Sequence, residues 1–186
     1  MALSGTIVAV CLALLAVVAL LNRRSQIVGL NQEIQYDDFA FSVLGARKAA
    51  VLGNAQAQAS PRGVFCVLTM KIANHALRVD YTFDKHVAIL VDDHGNEFHL
   101  SAEGQKALED TLRQNDLCEG PIPAGGSCVT EVVFDIPEGA RISQLRISEG
   151  GQVGDVLDTI FFGKKRIIIP AGELQPNGSS AVDAER

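Results

Sequence analysis

Val64-Phe65-Cys66-Val67-Leu68-Thr69-Met70-Lys71-Ile72-Ala73-Asn74 is the stretch on which the fold turns. Val64, Cys66, Leu68, Met70 and Ile72 recur at spacing two, the period of a strand that lays one face in a core. The density of β-branched and apolar residues predicts a central strand. Upstream, Ile34 and Tyr36, then Phe39, Phe41 and Val43, alternate in the same way. Between these runs, residues 49–63 are rich in Ala, Gln, Ser, Gly and Pro and read as a loop. Downstream, residues 86–91 and 97–100 flank Asp92-Asp93-His94-Gly95-Asn96, a tight hairpin by its Asp and Gly content.

Residues 102–113 change period. Ala107, Leu108, Thr111 and Leu112 fall on one face of a short helix, with Ser101 and Glu103 at its start. Leu108 and Leu112 are expected to cap the core. Further strands are predicted over residues 128–136, 142–147, 159–162 and 166–169. The punctuation is Gly120-Pro121-Ile122-Pro123-Ala124-Gly125-Gly126, then Pro137-Glu138-Gly139, then Gly150, Gly151 and Gly154. About seven short strands, frequent turns and one inserted helix predict an all-β sandwich over residues 33–169. Residues 25–32 read as a linker, and 170–186 as a disordered tail of Gly, Pro, Asn, Ser, Ala and Glu. The chain has no Trp, which excludes the Cys…Trp…Cys pattern of antibody domains.

The chain has 186 residues, room for one domain with a real core. Its apolar residues are unevenly spread. Residues 2–21 carry no charge, and as a helix would rise about 30 Å, the thickness of a bilayer's hydrocarbon core. Asn22, Arg23 and Arg24 end the run. No Lys or Arg precedes it and no A-x-A pattern closes it, so an uncleaved single-pass span over residues 1–24 is preferred to a signal peptide. Arg23 and Arg24 are the only charges in residues 1–29. Of the chain's 16 basic and 22 acidic side chains, 14 and 22 therefore remain beyond it, and −6 becomes −8. That balance disfavours docking onto anionic lipid or nucleic acid.

Several of these strings carry a family resemblance. The run Val67-Leu68-Thr69-Met70-Lys71-Ile72-Ala73-Asn74 resembles the long Asn-ended strand of telokin-like, immunoglobulin-fold domains of unknown function. Asp92-Asp93-His94-Gly95-Asn96-Glu97-Phe98 is similar to their hairpin, Ile122-Pro123-Ala124-Gly125-Gly126-Ser127 to their Pro-Gly turn, and Val133-Phe134-Asp135-Ile136-Pro137 to a strand end. The matches run in the family's order across residues 34–147. The insert at 102–119 and the C-terminal extension depart from the pattern. The resemblance implies an immunoglobulin-like module of the kind found in bacterial and archaeal surface proteins and lipoproteins. It also implies a place outside the cytoplasm, an N-terminal tether and no established catalysis.

Four cysteines bear on compartment. Cys11 lies in the apolar lead, and Cys66 on a strand's apolar stripe reads as a buried, inert thiol. Cys118 and Cys128 bracket the Pro-Gly turn, ten positions apart, and are expected to form a disulfide rather than stand as two thiols. A disulfide belongs to an oxidising compartment. With the resemblance, it outweighs the two arginines, which under the positive-inside rule would place the domain in the cytoplasm.

Reactive machinery is sparse. The glycines at 151–154 lack the Lys-Ser/Thr of a phosphate loop, and neither G-x-S-x-G nor His-Glu-x-x-His occurs. Asp84, His86, Asp92, Asp93, His94, Asn96, Glu97 and His99 form a dense polar group. Asp92, His94 through its backbone carbonyl, Asn96 and Glu97 offer oxygen ligands to Ca²⁺, and His86 with His99 could flank a transition metal across the hairpin. The plain turn is preferred, because the alternating carboxylates of a calcium loop are missing. His75 reads as a surface residue and Lys164-Lys165-Arg166 as a solvated turn.

The expectation is a membrane-anchored, extracytoplasmic interaction module without catalysis or cofactor, meeting a protein partner at the envelope. Its contacts are expected in residues 49–63 and 102–126. The rival is a metal- or small-ligand-binding sensor built on His86, His94 and His99.

Overall fold

The computed structural model describes residues 27–54, 58–111, 118, 120–148, 165–170 and 175–176. Along the chain come β1 (Ile27–Val28), β2 (Ile34–Tyr36), β3 (Phe39–Ala49), β4 (Leu52–Gly53), β5 (Gln58–Ala59) and β6 (Val64–Asn74). A single 3₁₀ turn (Lys85–Val87) leads into β7 (Ala88–Asp92) and β8 (Glu97–Phe98). Then follow α1 (Ala102–Glu109), β9 (Ser127–Ile136), β10 (Ile142–Ile147), β11 (Arg166–Ile168) and β12 (Gln175–Pro176). One sheet runs β1-β11-β10-β7-β8 and the other β12-β3-β6-β9, with β2 folded back on β3. The ladders are antiparallel except β1 on β11 and β12 on β3.

Period-two alternation explains the core between the sheets. Phe41 and Val43 of β3, Cys66, Leu68, Met70 and Ile72 of β6, and Val132, Phe134 and Ile136 of β9 point inward from one sheet. They meet Leu90, Ile142, Leu145 and Ile167 of the other. β6 is central, paired over ten positions with β3 and ten with β9. A bulge at Leu44 lets β3 keep its inward face across 11 residues.

The opposite face of β6 is also apolar. Phe65, Val67 and Val133 lie outside the sandwich, where they pack with Ala49, Leu52 and Ala59 and with Ala107 and Leu108 of α1. The described parts of the expected loop, 49–54 and 58–63, are thus not free. β4 and β5 pair as a small ribbon and close a second apolar layer together with α1. Leu108 covers this outer face instead of capping the sandwich core, while Leu112 lies outside the described residues.

The helix starts where its N-cap is, since the Ser101 hydroxyl accepts from the Gly104 N–H at 3.2 Å. Gln105, buried on α1, completes the edge of β9. Its side-chain oxygen accepts from the Val133 N–H at 3.0 Å and its amide donates to the Glu131 carbonyl at 3.0 Å. That pairing imitates a neighbouring strand and closes a stretch of edge otherwise open to another chain.

Other boundaries differ from the sequence reading. The expected linker contains β1, paired with β11, because Val28 can pack against the core. In the expected tail, Gln175 and Pro176 pair with Arg47 and Lys48 of β3. His86 sits in the 3₁₀ turn, so the strand begins at Ala88. Of the basic run, Lys164 lies outside the described residues, Arg166 opens β11, and Lys165 is half-buried. Its Nζ donates to the Gln35 carbonyl at 2.6 Å and lies 4.3 Å from the Tyr36 ring centre. The expected span at 1–24 and the strand at 159–162 lie outside the described residues. Among the described residues no helix is long and apolar enough to cross a membrane.

Candidate functional site

The polar hairpin resolves into a self-satisfied turn. One carboxylate oxygen of Asp92 accepts from the backbone N–H groups of His94 (2.9 Å) and Asn96 (2.8 Å). Its other oxygen accepts from the Asn96 amide at 2.8 Å. The Asn96 side chain, ahead of the backbone donors, holds the Asp92 carboxyl below the usual carboxylate range, with burial pulling the other way. Gly95 supplies the positive φ (86°) that closes the loop. Asp92 and Asp93 with His94 bring potential ligand atoms within 4.8 Å of one another. Three donors of the turn already engage the Asp92 oxygens, however, and the His94 ring pairs with Asp93 at 2.6 Å on the exposed side.

His86 and His99 do not join that group. The ladder pairs Leu90 with Phe98, and the chain then leaves the sheet, because Leu100 bridges to Phe134 of the opposite sheet. His86 bonds instead to Asp84 at 2.9 Å, and both are exposed. Asp84 caps the 3₁₀ turn through the His86 N–H, which holds its carboxyl below the ordinary value. Glu97 pairs with Arg146 across the sheet. His86 and His99 therefore do not face each other in the β7–β8 ladder, as a strand-register argument could have shown.

Asn74 was legible only as a strand end, yet it organises one whole end of the domain. It is fully buried. Its amide donates to the carbonyls of Val79 (2.8 Å) and Ile122 (3.0 Å), and its side-chain oxygen accepts from the Ala76 N–H (3.0 Å). Tyr81 and Ile122 exchange backbone bonds beside it, and Phe39 stacks on Tyr81 with ring centres 3.8 Å apart. Cys118 and Cys128 are disulfide-bonded there, their Cα atoms 5.6 Å apart. At the opposite end, the Asp135 carboxylate accepts from the N–H groups of Arg62 and Gly63. No side chain fits at Gly63, since an added Cβ would lie 2.3 Å from the Ile136 carbonyl oxygen.

Cys66 is buried in the core, and burial pushes its thiol up to about 12, too high for a thiolate nucleophile. His75 is exposed, 3.9 Å from Glu33, as its position at a strand end suggested.

Asp84, Asp92 and Asp135 spend their carboxylates on backbone N–H groups at turns and strand ends. These features define a two-sheet β-sandwich domain. The chain belongs to a family described as a domain of unknown function, DUF4352, whose profile matches residues 28–156. Among solved structures it is similar to a secreted protein from Mycobacterium tuberculosis, MPT63, at 14% identity and TM-score 0.50, covering 68% of this chain and 91% of that one. It is also similar to the yjhA protein from Bacillus subtilis, at 11% identity and TM-score 0.51, covering 77% and 99%. These likenesses show a shared fold. No curated protein matches the chain.

Proposed function

We infer that the protein is a single-pass, membrane-tethered module of telokin-like, immunoglobulin type that works outside the cytoplasm as a non-catalytic interaction domain. The carrying observation is the Cys118–Cys128 disulfide. A bond that closes so short a loop persists where thiols are not kept reduced. The secreted nature of MPT63 agrees with that compartment. Residues 2–21 supply the tether, uncharged and long enough for a bilayer, with Arg23 and Arg24 at its edge.

The site supports binding over catalysis. Cys66 is sealed in the core, and Asp92, Asp84 and Asp135 spend their oxygens on backbone N–H groups. A protein partner at the envelope would meet the end remote from the tether, formed by the turns at 93–96 and 137–141 and by the segment after β3. Ala49, Leu52 and Ala59 pack with Ala107 and Leu108 of α1, so contact there would use outward side chains, such as Lys106 and Glu103.

A topology reporter fused after Arg186 of the full chain tests the reading. Activity only on the outer side of the membrane supports it. Activity only in the cytosol, together with free thiols at Cys118 and Cys128 on maleimide labelling, overturns it.

A further inference from the structure

The loop after β6 is held from within and apolar without. Ala76 is buried, its N–H bonded to Asn74, and the Val79 carbonyl is bonded to the Asn74 amide. Between these two fixed points Leu77 is 93% exposed, and Val79 is 62% exposed. Scattered surface leucines are ordinary. Two large apolar side chains held outward on a short pinned loop, with exposed Arg78 between them, are a different arrangement.

The topology fixes where this loop sits. β1 is parallel to β11, so Ile27, where the described chain enters, pairs with Arg166, next to Lys165. Lys165 reaches the Gln35 carbonyl, and the Tyr36 hydroxyl reaches the carbonyls of Ile147 and Lys165. β2 turns through Asp37 and Asp38 into β3, the Asp38 carbonyl accepts from the His75 N–H at 2.7 Å, and Leu77 is two residues on. The strand that enters from the N-terminal side and the Leu77 loop therefore share one end of the sandwich. Ile27, 62% exposed, stands at that end too.

We propose that the Leu77–Arg78–Val79 tip docks on the lipid surface of the membrane that holds the tether. This rests on the anchored reading above. Residues 22–26 can span at most about 17 Å fully extended. The 11-residue β3 and β6 make the sandwich about 35 Å long. A tether shorter than the domain keeps its own end of the sandwich at the bilayer. Leu77 and Val79 would enter the headgroup–acyl boundary, with the Arg78 guanidinium at the phosphates, as interfacial side chains do. Asp37, Asp38, Asp80 and Asp84 share this end with Arg78, Lys165 and Arg166, so the contact is driven by apolar insertion rather than by anionic lipid.

The absence of Trp from the chain provides the test. Full-length Leu77→Trp and Val51→Trp are each reconstituted into phosphatidylcholine vesicles with and without brominated acyl chains. Val51 follows β3, at the remote end, and is 42% exposed. Docking predicts that Leu77→Trp emission is blue-shifted and quenched at least about twofold by the brominated lipid, with Val51→Trp unaffected. Vesicle flotation with equal or no quenching at the two positions overturns the docking and leaves the tether standing. A blue shift without bromine quenching assigns the tip to a protein surface, such as a second copy, and also overturns it. Protein that fails to float, or is stripped by alkaline carbonate, overturns the tether itself.

Discussion

Replacing Asn74 by Ala removes three hydrogen bonds at the point where β6, the Leu77 loop and the Pro-Gly turn meet. Their losses differ. The Ile122 carbonyl keeps the bond from the Tyr81 N–H, and Val79 is exposed, so water can reach its carbonyl. Each of these two bonds is worth about 1 kcal/mol. The buried Ala76 N–H is left without its acceptor, which costs about 1–3 kcal/mol. The expected destabilisation is therefore about 3–5 kcal/mol, a large share of the roughly 5–15 kcal/mol that holds a domain together. Urea unfolding of the full chain in detergent, followed by far-ultraviolet circular dichroism, should show a midpoint lowered by about 1–2 M at an unchanged slope.

Asn74→Asp separates donor loss from simple volume loss. Its carboxylate would face two carbonyl oxygens, so the folded state favours the protonated acid and raises its pKa above the unfolded value. The stabilisation from the neutral form is present below the unfolded value and lost as pH rises through the folded one. The deficit against wild type should accordingly narrow between pH 7 and pH 4. A loss below about 1 kcal/mol for Asn74→Ala, or a pH-independent deficit for Asn74→Asp, would refute the role assigned to this residue.

Gly104→Ala would place a Cβ 2.7 Å from both Phe65 Cε1 and Val133 Cγ1. Overpacking of about 1–3 kcal/mol should exceed the ~1 kcal/mol gained in helix propensity, read as a lower melting temperature. Reducing the Cys118–Cys128 bond, ten positions apart, should cost about 2–3 kcal/mol in the chain-entropy picture, measured by urea unfolding with and without reductant. The Asp92 carboxyl is depressed below its ordinary value of 3.8, so its contribution is present above that value and lost as pH falls through the folded one. Asp92→Asn should lower the melting temperature at pH 7, since its amide would face that of Asn96, and should flatten the acid limb of the profile. Because the turn already occupies the Asp92 oxygens, Ca²⁺ or Zn²⁺ at about 1 mM should leave the melting temperature unchanged; a rise of several degrees would restore the metal-sensor reading.

Much of the sandwich was legible because alternation is a local property. Phe41 and Val43 of β3, Leu68 and Met70 of β6, and Val132 and Phe134 of β9 announce an inward face without knowledge of what they meet. The hairpin at Asp92 and the helix start at Ser101 are equally local, since each depends on a side chain reaching a backbone N–H two to four residues away. Less visible was the second layer. Phe65 and Val67 interrupt the polar alternate positions of β6, and that interruption is the signal that both faces are covered. The composition of residues 49–63 pointed to a free loop because Leu52 and Ala59 are too few to mark a strand by themselves.

By itself the sequence determined the long alternating strands, the Asp92 hairpin, the helix start at Ser101, the pairing candidates Cys118 and Cys128, and an uncharged lead of bilayer length. Tertiary structure alone decided that the polar hairpin spends its carboxylate on its own backbone, that Gln105 closes the β9 edge, and that the Leu77 loop shares an end with β1. The physical reason is range. A period of two or a capping oxygen is fixed within a few residues of chain, whereas which face is covered, and what lies beside what, follows from contacts between segments tens of residues apart.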